Sequence, residues 1–120
     1  MVTPLGRLII YTAKRAEMVY FYSRHFGFEE VPQHGDRITE LVPRGGACSL
    51  LLHAAAKGQR QGQSLVKLVF DVKDVPAFCK EAEGRGLVFG PVHRADGYQF
   101  ANAKDPSGNS ISVSGRAFVK

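Results

Sequence analysis

The chain has little cysteine, no long apolar run and no phosphate-binding glycine motif, and each absence removes a class of protein. Two cysteines, Cys48 and Cys79, cannot build a disulfide framework in 120 residues, and they lie too far apart for a Cys-x-x-Cys motif. They read as reduced core residues of a cytoplasmic protein, with no redox role. No apolar stretch approaches the ~20 residues of a membrane span. The opening residues Met1-Val2-Thr3-Pro4-Leu5-Gly6-Arg7 contain no apolar h-region, which predicts no signal peptide. Neither Gly-x-x-x-x-Gly-Lys nor Gly-x-Gly-x-x-Gly occurs, and the glycines at Gly84, Gly86 and Gly90 have the wrong spacing for either. A Gly-x-Ser-x-Gly nucleophile elbow is also missing.

What is present fits one soluble globular domain spanning residues 1–120: 44% hydrophobic and 22% charged residues. Sixteen Lys and Arg against eleven Asp and Glu leave a net charge of +5. The basic residues are dispersed and no cluster is interleaved with aromatics, so a solvated basic surface is expected and no nucleic-acid partner. The positive excess disfavours a polycationic ligand.

The chain reads as one pattern written twice. Residues 5–12 and 65–72 are β-rich apolar runs, each followed by a helix-like segment. In the first, Met18, Phe21, Tyr22 and Phe26 recur at helical spacing; in the second, Val75, Phe78, Cys79 and Ala82 do so. Gly27 and Gly84/Gly86 are suitable stops, Asp74 a suitable N-cap, and Pro76 falls inside the first turn. Strand candidates follow each helix, at 28–32, 37–42 and 47–53, then at 87–92, 98–103 and 110–114, divided by turn residues. The expected fold class is therefore α+β, with a βαβββ module over 5–53, a linker over 54–64 and a second module over 65–115.

Three segments resemble the vicinal oxygen chelate superfamily, which includes glyoxalase I, bleomycin-resistance proteins and extradiol dioxygenases. These are Val19-Tyr20-Phe21-Tyr22-Ser23-Arg24-His25-Phe26-Gly27-Phe28, Phe70-Asp71-Val72-Lys73-Asp74-Val75 and Asp105-Pro106-Ser107-Gly108-Asn109. The last matches the family's Asp-Pro-x-Gly-Asn turn before the final strand. The resemblance implies two modules whose sheets curl into a partly closed barrel, with a ligand cavity on the concave side. It also implies a homodimer.

In metal-using members of that superfamily, His, Gln or Glu stands on the first and last strand of each module. By that resemblance the four positions here fall on Arg7, on a leucine within Ser49-Leu50-Leu51-Leu52-His53, on Lys67 and on Ser112. Arginine cannot deprotonate, and lysine does so only at a cost. At ~4 Å and an effective dielectric near 20, each cation would repel a dication by about 8 kcal/mol. The expectation is that no metal and no cofactor is bound.

Strand alternation places side chains independently. If Leu8, Ile10, Leu68, Phe70, Ile111 and Val113 face the helices, the opposite face carries Arg7, Tyr11, His53, Lys67, Asp71 and Ser112, with Ile9 and Phe100 as apolar wall. Two interpretations stand. Arg7 and Lys67 hold a carboxylate, phosphate or enolate-like oxygen, or one of them pairs with Asp71 or extends to solvent and nothing binds. His25, His34 and His93 read as structural or surface histidines. His53 is the one with a claim to acid–base work, with Asp71 as its possible carboxylate partner.

The main functional expectation is a metal-independent small-molecule binding protein in the cytoplasm, of bleomycin-resistance architecture, holding an anionic or polar aromatic metabolite and touching no membrane. Bleomycin, itself cationic, is a poor fit to the charge balance. An alternative is a metal-dependent lyase, isomerase or dioxygenase whose ligands include His53 and Glu40 or Asp71. A third is a bare structural or partner-binding module.

Overall fold

A computed structural model describes residues 1–31 and 37–119. One compact unit covers residues 1–61 and a second starts at residue 62. Each contains one helix and one open four-stranded sheet, so the molecule is α+β.

The first unit runs β1 (Arg7–Thr12), α1 (Arg15–Phe26), β2 (Phe28–Val31), β3 (Ile38–Pro43) and β4 (Ser49–Ala54). Its sheet order is β1-β4-β3-β2. The second runs β5 (Lys67–Asp71), α2 (Val75–Gly84), β6 (His93–Arg94), β7 (Gln99–Lys104) and β8 (Ser110–Ser114), closed by a 3₁₀ turn over Arg116–Phe118. Its order, β5-β8-β7-β6, is the same topology. In each sheet the first and last strands pair in parallel and the other neighbours pair antiparallel. The expected βαβββ pattern is thus present twice.

The helices form for reasons visible in the chain. Gly27 takes the left-handed conformation (φ 74°) that ends α1, and its N–H closes onto the Tyr22 carbonyl. The Asp74 carboxylate accepts the Ala77 N–H at 3.1 Å and caps α2. The buried stripe of α1 is Met18, Phe21, Tyr22 and His25. Phe26, expected on that stripe, is only half-buried, with His25 in its place. The reason is helical phase: position 25 completes an i, i+3, i+4, i+7 series from Met18, while 26 has rotated past it. His25 rests edge-on against Phe21, their ring centroids 5.1 Å apart. Across from α1, Phe28, Leu41, Leu50 and Leu52 are buried; in the second unit Val75, Ala82, Leu87, Ala101, Ile111 and Val113 form the core.

The second unit departs from expectation in one place. The apolar pattern of residues 87–92 predicts a strand, but pairing begins only at His93 and lasts two residues. Pro91 has no N–H to give a ladder, and Gly90 makes a single bond, donating its N–H to the Asn102 carbonyl. Turn chemistry explains the Asp105-Pro106-Ser107-Gly108-Asn109 segment. Asp105 is buried, and its carboxylate accepts the N–H groups of Ser107 and Asn109 and the Asn109 side-chain amide, all at 2.9 Å. This motif is a turn scaffold. Gly62 lies directly on it: a Cβ there would sit 3.0 Å from the Gly108 carbonyl oxygen. The expected turn between the strand candidates 28–32 and 37–42, Gln33-His34-Gly35-Asp36, lies outside the described residues.

Candidate functional site

Each sheet has one face turned to its helix and one turned away, and ladder register fixes what the second face presents. In the first unit Arg7 pairs with Ser49, Ile9 with Leu51 and Tyr11 with His53, while Leu51 also faces Glu40 and His53 faces Ile38. Burial alternates accordingly: Arg7, Ile9 and Tyr11 are exposed, Leu8 and Ile10 half-buried, Leu50 and Leu52 buried. In the second unit Lys67 pairs with Ser110, Val69 with Ser112 and Asp71 with Ser114. Those serines face Lys104, Asn102 and Phe100 in turn, and Phe100 faces His93.

The expected parity therefore holds within each module. Arg7, Tyr11 and His53 share the open face of the first sheet; Lys67, Asp71, Phe100 and Ser112 share that of the second. Ser112 is the least accessible of these, 3% exposed, with its hydroxyl turned to the Val113 carbonyl at 3.4 Å. It lies in a central strand, flanked on both sides.

Within the second module Lys67 makes no ion pair with Asp71. Arg7 Nε lies 3.7 Å from Glu40 Oε2, and Lys67 Nζ donates to Asn102 Oδ1 at 2.9 Å. The two arrangements are equivalent. In each module the first residue of the first strand reaches diagonally over the last strand to a polar residue on the strand beyond. Glu40 and Asn102 occupy matching positions, opposite Leu51 and Ser112. Their electrostatics differ. Glu40 neutralises Arg7 in an exposed pair worth at most about 1 kcal/mol. Asn102 is neutral, so Lys67 keeps its full charge. Lys104, on the same cross-strand row, donates to Ser110 Oγ at 3.0 Å and, among the described residues, makes no ion pair. Sequence reasoning missed Asn102 and Lys104 because it treated the two modules strand by strand. Superposing the repeats would have put Asn102 opposite Glu40.

His53 lies against Tyr11, centroids 5.3 Å apart, with Nδ1 3.0 Å from the Ala54 carbonyl. A carbonyl only accepts, so Nδ1 carries the proton and Nε2 is the basic nitrogen of the neutral ring. On the other sheet His93 and Phe100 stack at 5.1 Å and 31°.

Taken module by module, the strand positions that the resemblance assigns to a metal offer poor donors. Arg7 and Lys67 are cations, Leu51 has no donor atom, and Ser112 offers a buried hydroxyl. Among the described residues no group of three or more His, Cys, Asp and Glu could hold a metal.

Comparison with known proteins gives the family. The model of the glyoxalase/bleomycin resistance protein/dioxygenase superfamily matches residues 5–113. The chain belongs to that superfamily. No curated protein matches it. Solved structures of the superfamily's fold do. TnmS3, an antibiotic binding protein from Streptomyces sp. CB03234, is similar at 22% identity over 93% of this chain and 94% of its own, with a TM-score of 0.76. A superfamily member from Sphaerobacter thermophilus DSM 20745 is 20% identical, covering 94% and 97%, with a TM-score of 0.75. A lactoylglutathione lyase from Agrobacterium tumefaciens is 19% identical, covering 94% and 93%, with a TM-score of 0.71. At these identities the likeness establishes the fold alone, and the superfamily hosts both binding proteins and enzymes.

Proposed function

We propose that this protein is a small-molecule binder of the bleomycin-resistance type that works without a metal ion and takes an anionic or polar aromatic metabolite. One observation carries the proposal: Lys67 and Lys104 both pair with Ser110 in the sheet, and their ammonium groups rest on neutral partners, Lys104 on the Ser110 hydroxyl and Lys67 on the Asn102 amide oxygen, with no carboxylate on that row. Such a row attracts a carboxylate or phosphate oxygen. Two residues along the strands, about 7 Å away, lies Asn102. One step further, Phe100 and His93 present stacked rings to an aromatic body. Arg7, Tyr11 and His53 form the corresponding face of the first module. The description of TnmS3 as an antibiotic binding protein supports a binding role on this fold.

The same reading makes the protein a cytoplasmic homodimer, and light scattering during gel filtration should return twice the 13.1 kDa chain mass.

The binding row is tested with 2-naphthoate as probe and 2-naphthamide as its uncharged counterpart, in titrations followed by amide NMR. The acid is expected to shift Asn102, Ser110 and Ser112. Lys67→Met is expected to weaken it about tenfold, the loss of one charge-assisted contact. Equal binding of acid and amide, or an unchanged affinity in Lys67→Met, would overturn the proposal.

A further inference from the structure

A cleft lies within the second module, at the end of its sheet where β5 leads into α2. It encloses about 500 Å³, within the ~300–1,000 Å³ range of small-molecule sites. Lys73, in the link between β5 and α2, and Arg94, at the end of β6, both line it. Gln99 and Tyr98 line it, as do Val75, Phe118 and Val119. Among the described residues no Asp or Glu lines it. Lys73 and Arg94 are exposed and, among the described residues, make no ion pair. A third cation is close: Arg116 Nη1 donates to the Tyr98 hydroxyl at 3.1 Å and its guanidinium lies 5.5 Å from the ring centroid.

The walls are held by backbone bonds. Ala95 N–H donates to the Tyr98 carbonyl, Gly115 N–H to the Gln99 carbonyl, and Phe118 N–H to the Gly115 carbonyl. The 3₁₀ turn lies against the β6–β7 loop, where a Cβ on Gly97 would come 3.8 Å from Val119 Cγ1. A preformed cleft of this kind loses little freedom when a ligand enters.

We propose that this cleft is an anion site distinct from the Lys67 row, and that its ligand is a phosphate monoester carrying a flat ring, the chemistry of a mononucleotide. The charge count selects the phosphate. A monoester bears close to two negative charges at neutral pH and three acceptor oxygens. Two cations on the lining, with Arg116 beside them, face no lining carboxylate among the described residues; of the acids next to the lining in the chain, Asp74 is turned to the Ala77 N–H and Asp96 is exposed, and this balance suits a dianion better than a single carboxylate. Arg94 can offer its planar fork to two phosphate oxygens and Lys73 a point charge. Phe118, Val119 and Tyr98 supply the apolar side for the ring; Gln99 offers both a donor and an acceptor to its edge.

Adenosine monophosphate is the probe, with adenosine and inorganic phosphate as its two halves, titrated into the isotope-labelled full chain. The monophosphate is expected to shift the amides of Gly97, Gln99, Gly115 and Val119 together and saturably, and adenosine to bind at least about tenfold more weakly. Lys73→Gln/Arg94→Gln is expected to cost about a hundredfold and either single change about tenfold, one charge-assisted contact each. Both side chains are exposed, so the melting temperature should hold, and Lys67→Met should leave this binding untouched. If adenosine binds as well as its phosphate, or the double variant binds as wild type, the proposal fails. Shifts confined to Asn102 and Ser110 and lost in Lys67→Met would also refute it, while supporting the Lys67 row.

Discussion

Single side chains in this protein act through burial and through what lies one strand away. Cys79 is half-buried, and desolvation pushes its thiol above the ordinary value. The folded state therefore holds the thiol proton more tightly than the unfolded state. That contribution is complete below the unfolded thiol's value and fades as pH rises through the folded one. Alkylation by iodoacetamide at about pH 8.5 should be slower at Cys79 in the native protein than in urea; equal rates would contradict the assignment. Asp105 is a buried carboxylate that accepts from the Ser107 and Asn109 N–H groups and from the Asn109 amide. Asp105→Ala leaves those donors without their acceptor and should cost about 3 kcal/mol, read as a lowered urea midpoint at unchanged slope.

Elements follow from local chemistry where that chemistry is strong. Both helix stops, the α2 cap and the last strand were legible because a left-handed glycine, a capping aspartate and strict alternation have few other uses. The sixth strand was not, since Val88, Phe89 and Val92 favour a strand while Pro91 forbids the ladder. Two glycines separate backbone cost from steric cost. Gly27 has φ 74° and open space where a Cβ would stand, so Gly27→Ala should cost about 1 kcal/mol. Gly62, at φ 71°, would drive a Cβ to 3.0 Å from the Gly108 carbonyl oxygen. Gly62→Ala should therefore be the more damaging by thermal melting; the reverse order would show that the Gly62–Gly108 contact yields easily.

At the scale of the whole molecule, one topology used twice has diverged in charge. The first module carries a neutralised Arg7–Glu40 pair beside Ile9, Tyr11 and Leu51; the second carries two lysines bonded to neutral partners, Asn102 and Ser110. The proposed anion binding falls to the second, and it should weaken as salt rises from about 50 to 500 mM. Elemental analysis of protein purified without a histidine tag should find nickel, zinc, manganese and iron well below one ion per chain. A stoichiometric ion would overturn the metal-free proposal.

The linear chain by itself determined the repeat, the two helices, the inward and outward parity of the strands that carry the candidate site, and the cations at positions 7 and 67. Those features rest on short-range periodicity and capping, which are written in neighbouring residues. Only the tertiary structure decided that Arg7 meets Glu40, that Lys67 meets Asn102 beside Lys104, and that Lys73 and Arg94 line one cleft. These partners are far apart in sequence, and strand register with chain reversal, to which local pattern is blind, sets which of them come together.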